Sequence, residues 1–175
     1  MRFALLAATL GAATLLSSCG AFERNVPPVC PEVVILSDAS RITKFRDGPG
    51  RDLTDVEVEA EINGYRGECK RVEKGVEVTL AIAMNAKRGP GDADGAADLA
   101  YFVAIPDYFP SPQAKSVFTT RLQFPANVGT MRHVDGEVVM MIPQPEGKAA
   151  TPKEVYLGFQ LDEEQLRFNR DKRGR

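Results

Sequence analysis

Two stretches of strict alternation constrain this chain more than anything else in it. In Val56 to Ile62, the apolar Val56, Val58, Ala60 and Ile62 interleave with Glu57, Glu59 and Glu61. In Val76 to Met84, Val76, Val78, Leu80, Ile82 and Met84 occupy every second position. A strand sends successive side chains to opposite faces, so period 2 marks a strand with one face buried. The same period recurs at Leu99, Tyr101, Val103 and Ile105, at Ser116, Phe118, Thr120, Leu122 and Phe124, and at Val155, Leu157, Phe159 and Leu161. Pro106 and Pro125 close two of the runs, and Pro143 closes the apolar stretch Val138 to Ile142, all at strand ends where a missing N–H costs least.

Other segments fit the same plan. Cys30 to Leu36 is a first strand whose continuous apolar run predicts burial on both faces. Tyr65 to Arg71 is a short strand, and Val138 to Ile142 is apolar on both faces. Asn63-Gly64 and Glu73-Lys74-Gly75 read as turns, the second closing a hairpin with Val76 to Met84. Ser37 to Thr43 is polar and has no clear assignment. Loops are expected over 45–52 around Gly48-Pro49-Gly50, and over 88–98, 107–112, 126–135 and 144–153. Before the C-terminus no stretch keeps a 3.6-residue period. The fold class is therefore all-β: an antiparallel β-sandwich of seven to eight strands, immunoglobulin-like in architecture, with a small barrel as the second choice. Asp162-Glu163-Glu164-Gln165 reads as a helix start, with a capping Asp162 and Gln165 three residues on. Leu166 to Asn169 leaves room for a turn or two before the basic tail Arg170 to Arg175.

The N-terminus carries an address. After Met1-Arg2, residues 3–16 are uncharged, rich in Ala and Leu, and too short to span a bilayer, which takes about 20 residues. They end in Leu16-Ser17-Ser18-Cys19, which resembles the lipobox of bacterial lipoproteins. The resemblance covers only the first 19 residues or so. It implies cleavage before Cys19, diacylation of Cys19 (with palmitate-type chains) and acylation of the new amino terminus. Acyl chains contribute about 0.8 kcal/mol per buried methylene, so two or three make a permanent anchor. In that family an Asp after the cysteine commonly retains the protein in the inner membrane. Gly20 stands there, which implies the periplasmic face of the outer membrane. The expected organisation is a signal peptide at 1–18, anchor and tether at 19–29, a β-sandwich at 30–162, and a short helix with a basic tail at 163–175.

Cleavage leaves 157 residues, enough for a hydrophobic core, with 21 basic and 24 acidic side chains. That balance argues against nucleic acid as a partner. With Cys19 taken by lipid, Cys30 and Cys69 remain in a compartment where disulfides persist, and an even pair predicts a Cys30–Cys69 bridge. Two buried free thiols are the alternative.

Catalytic chemistry finds little footing. His133 is the one histidine, flanked by Arg132 and Val134, and reads as a surface loop residue. No Gly-x-Ser-x-Gly elbow occurs. Two cysteines and one histidine cannot fill a tetrahedral zinc site. Asp92, Asp94 and Asp98 miss the glycine and glutamate positions of a calcium loop. No metal and no cofactor is expected. The Glu57, Glu59, Glu61 row reads as an outer face paired to Lys or Arg on neighbouring strands. The expectation is a non-catalytic lipoprotein that binds or scaffolds an envelope partner, with a small-ligand binder or enzyme as the alternative. Its candidate partner-binding residues are Tyr108 and Phe109, as aromatic anchors, and Asp92 and Asp94, in a long polar loop.

Overall fold

The computed structural model describes residues 30–143 and 154–173. The expected signal peptide, Cys19, the tether and the 144–153 loop lie outside the described residues. Among these, eight strands form two four-stranded sheets. The strands are β1 (Glu32–Ile35), β2 (Arg41–Phe45), β3 (Val56–Val72), β4 (Gly75–Arg88), β5 (Ala96–Ala104), β6 (Lys115–Gln123), β7 (Thr130–Pro143) and β8 (Glu154–Phe159), followed by helix α1 (Glu163–Arg173). One sheet has the order β1-β8-β5-β6 and the other β2-β3-β4-β7. The expected all-β sandwich is the observed architecture, and two separate sheets replace the barrel alternative.

The core sits where the alternation places it. Val58, Val76, Ile82, Met84 and Ile142 of one sheet and Tyr101, Leu157 and Phe159 of the other are all fully buried. Each such side chain contributes about 1.5–3 kcal/mol relative to exposure. Every strand pairing is antiparallel except β1 with β8, which run parallel with Val33 beside Val155. A parallel pair needs a long crossover, and these strands come from opposite ends of the sandwich sequence. β1 is the outermost strand of its sheet, so its residues are only half-buried, not buried on both faces.

Several expected boundaries move. Asn63-Gly64 is not a turn: β3 runs on for 17 residues, and the register against β4 shifts between Ile62 and Gly64. Gly64 stays paired with Ala83, and Asn63 is the extra residue of a bulge, which local sequence does not separate from a turn. The 126–135 loop is shorter than expected, because β7 begins at Thr130 and pairs with the far end of β4. Val138 to Ile142 is not buried on both faces, since Val139 and Met141 point to solvent from the outermost strand. Ser37 to Thr43 resolves into a turn over Ser37 to Ala39, a bend at Ser40, and the start of β2 at Arg41. Gly48-Pro49-Gly50 lies in a bent loop, as expected. A Cβ on Gly50 would lie 2.2 Å from a buried Asp55 carboxylate oxygen, so the backbone there needs glycine.

α1 starts as the sequence indicates. The Gln165 amide donates to Asp162 Oδ1 (2.8 Å) and the Asp162 amide donates to Gln165 Oε1 (3.0 Å), a reciprocal cap. It then continues to Arg173, past the expected turn or two and into the expected tail. Tertiary contacts carry it there. Phe168 packs edge-on against Phe45 of β2, and the Asn169 amide donates to the carbonyls of Asp38 and Arg41.

Cys30 and Cys69 form the expected disulfide, with Cα atoms 5.8 Å apart. Cys30 leads into β1 of one sheet and Cys69 lies in β3 of the other, so the bond staples the two layers. A closed loop of this length contributes about 4 kcal/mol in the chain-entropy model.

Candidate functional site

The register of the β2-β3-β4-β7 sheet builds one polar surface. Arg41, Glu61, Asn85 and Arg132 lie side by side across the four strands, and Thr43, Glu59, Lys87 and Thr130 form the adjacent row. Their neighbours along each strand are Ile42, Ala60, Ala86 and Met131. The first three are buried and Met131 packs against the core, so both rows must face outward. α1 lies along the β2 side as a wall, fixed by the Asn169 amide, and Lys172 reaches from it over the sheet. The result is an open groove of about 650 Å³.

The electrostatics of the groove are uneven. Arg41 pairs with Glu61 (2.9 Å), and Lys172 pairs with Glu59 (3.3 Å). Just outside the groove, Lys44 pairs with Glu57 (3.3 Å). Glu57 and Glu61 are thus cross-paired to the neighbouring strand β2, as expected, whereas Glu59 is held by Lys172 of α1 and not by a neighbouring strand. Lys87 and Arg132 have no ion-pair partner among the described residues. Four cations against two carboxylates leave a surplus of two positive charges, in a chain whose net charge is −2. No aromatic ring lines the groove. Its chemistry is recognition by hydrogen bonds and charge.

The groove and the chain's point of entry lie at opposite ends of the sandwich. Cys69 pairs with Val78, nine residues before Lys87 on β4. At about 3.3 Å per residue, the groove stands roughly 30 Å from the disulfide. Cys30, the β3–β4 turn, Pro143 and the start of β8 gather at the disulfide end.

The four expected partner-binding residues divide between these ends. Tyr108 and Phe109 sit at the disulfide end and do different things. Tyr108 packs against the core and its hydroxyl donates to the Pro143 carbonyl (3.2 Å). Burial, with Asp107 adding to it, pushes that phenol's pKa up. Phe109 projects freely, 83% exposed. Asp92 and Asp94 lie at the groove end, in a loop shorter than expected because β5 starts at Ala96. Asp92 organises that loop. One carboxylate oxygen pairs with Arg88 Nε (2.6 Å), and the other accepts from the amides of Asp94 (3.2 Å) and Gly95 (3.0 Å). Its side chain is 5% exposed, which leaves it little to offer a partner. Asp94 is exposed and accepts from the Ala96 amide. Gly95 follows at φ +72°, a conformation that favours glycine.

His133 is not a loop residue. It lies in β7 beside Met84 of β4 and points into the sandwich, with Nε2 2.8 Å from Thr120 Oγ1 of β6. Two residues on, Asp135 accepts a hydrogen bond from the fully buried Tyr101 (2.6 Å). These pairs line the seam between the outermost strands β6 and β7. Inward polar groups on such strands oppose edge-to-edge pairing between molecules.

Among the described residues no group of three or more metal-ligating side chains comes together, and no helix is long and apolar enough to cross a membrane. No family model, curated protein or solved structure matches the chain.

Proposed function

We propose that this chain is a lipid-anchored, non-catalytic binding module at the periplasmic face of the outer membrane, held by acyl chains on Cys19 and working through the polar groove. One observation carries the reading: the groove lies at the end of the sandwich opposite Cys30, where the segment from Cys19 enters. Ten residues separate Cys19 from Cys30. As a coil they reach about 17 Å, and at most about 35 Å when extended. A body tethered so closely keeps its disulfide end toward the bilayer and offers the groove to whatever lies beyond. The staple between the sheets sits where the tether pulls.

The test is a pair of variants expressed with the native N-terminus. Native protein is expected to fractionate with membranes, to lack residues 1–18 and to carry acyl chains on Cys19 by mass spectrometry. Cys19→Ala is expected to leave soluble or unprocessed protein. Reversing the groove's charge with Lys87→Glu and Arg132→Glu is expected to abolish crosslinked partner capture in intact envelopes while membrane association persists. An unmodified Cys19 in the native protein overturns the anchor, and capture that survives charge reversal moves the interface elsewhere.

A further inference from the structure

We propose that the groove binds a small, hydroxylated anion: a ligand with a phosphate or carboxylate group on a polyol or sugar-like body. The inference rests on the groove being the binding surface, and adds what it recognises.

The argument is the groove's internal polarity. Both carboxylates, Glu59 and Glu61, stand on β3, and both are engaged by cations from the β2 side, Lys172 and Arg41. Lys87 on β4 and Arg132 on β7 remain on the far side. Lys87 pairs with Thr130, two residues before Arg132, so the two cations are diagonal neighbours. Their Cα atoms stand about 7–8 Å apart, a span that two long side chains close easily around one oxyanion. Arg supplies a planar fork of donors and Lys a mobile point charge, a combination suited to phosphate or carboxylate. Asn85 and Thr130 add neutral donors between them. Across the groove, the spare lone pairs of Glu59 and Glu61 can accept from ligand hydroxyls. A ligand that is anionic at one end and rich in O–H groups at the other meets complementary chemistry along its length. A nucleotide does not fit this pattern, because nothing in the lining offers a base a ring to stack on.

The surplus charge survives any local re-pairing. Lys87 lies directly across from Glu59 and could replace Lys172 as its partner. The count of four cations against two carboxylates is unchanged by that exchange, so two positive charges always remain in the groove, and they are the neighbouring Lys87 and Arg132 when Lys172 holds Glu59 as observed.

The experiment is a titration of the detergent-solubilised full chain with glucose 6-phosphate, galacturonate, inorganic phosphate and glucose, followed by backbone amide shifts. Glucose 6-phosphate or galacturonate is expected to bind at least about tenfold more tightly than glucose, since a charge-assisted contact is roughly twice as strong as a neutral one. The shifts are expected at 41–43, 59–61, 85–87 and 130–132. Lys87→Gln and Arg132→Gln are each expected to weaken that binding by about two- to fivefold, in the range of a partly solvated ion pair. Inorganic phosphate that binds as well as glucose 6-phosphate assigns recognition to the anion alone and overturns the hydroxylated body. Glucose that matches the anions leaves the groove as a binding surface but overturns the anionic ligand. If none of the four probes moves the groove amides, the ligand class falls, while the groove as binding surface stands or falls separately with partner capture by the charge-reversed variant.

Discussion

Replacing Tyr101 with Phe isolates the contact that ties the two sheets together at their open seam. Tyr101 of β5 is fully buried, its ring stacks on Phe118 of β6 at 5.5 Å, and its hydroxyl donates to Asp135 of β7 at 2.6 Å. Phe keeps the ring and the stack and removes only the hydroxyl. Asp135 then loses the donor to one oxygen, while the other still accepts from the Gly136 amide. A hydrogen bond to a charged group contributes about 1.5–3 kcal/mol. Asp135 is only half-buried, so water recovers part of the loss and the lower end applies. Tyr101→Phe is expected to destabilise by about 1.5–2 kcal/mol, a fall in Tm of roughly 3–8 °C at this chain length. Denaturant unfolding of Tyr101→Phe, Asp135→Ala and the double variant should give a coupling of at least about 1 kcal/mol. The alkaline limb supplies a second readout. Burial, reinforced by the bond to Asp135, raises the Tyr101 pKa well above its ordinary value. The unfolded chain therefore releases this proton first, near pH 10, and stability falls as pH rises beyond that point. One such proton makes the slope up to about 1.4 kcal/mol per pH unit, and Tyr101→Phe should remove it. A destabilisation under about 0.5 kcal/mol with an unchanged alkaline limb would refute the reasoning.

Reducing the Cys30–Cys69 bond, or replacing Cys69 with Ser, should cost up to about 4 kcal/mol; a thermal melt unaffected by reductant would show that the staple contributes nothing. Phe109→Trp introduces a single tryptophan, because the chain has none. In vesicle-bound lipidated protein its emission should shift to the blue and be quenched by brominated acyl chains, since this residue projects from the tethered end. Unquenched emission from bound protein would mean that this end faces away from the bilayer.

Much of the fold was legible because its signals are local. The inward residues of β4 and β5 follow from period 2 alone, and the cap at Asp162 and Gln165 is a four-residue pattern that folds the same way in any context. The boundaries that moved are those where a local signal has two meanings. Asn63-Gly64 serves a bulge here, because β4 continues beside β3 on both sides of it. Thr130 to Asp135 alternates weakly, with Arg132, His133 and Asp135 among its side chains, and becomes a strand only because the end of β4 offers it a partner. α1 extends because Asn169 and Lys172 find acceptors on β2 and β3, 110 or more residues away in sequence.

The candidate site divides along the same line. By itself the sequence determined which face is wet in β4, β5, β6, β8 and the first half of β3, that Glu57, Glu59 and Glu61 share one such face, and that Cys30 and Cys69 form a pair. Those properties depend on side-chain alternation and on counting. Only the tertiary structure decided that Arg41, Glu61, Asn85 and Arg132 stand in one row, that α1 walls the groove, and that Lys87 and Arg132 are left without acids. The physical reason is register. Alternation fixes the face a side chain points to, but a two-residue slip along a neighbouring strand preserves that face and changes every cross-strand neighbour. The choice among such slips is made by the core and the connecting turns, which no single strand's sequence contains.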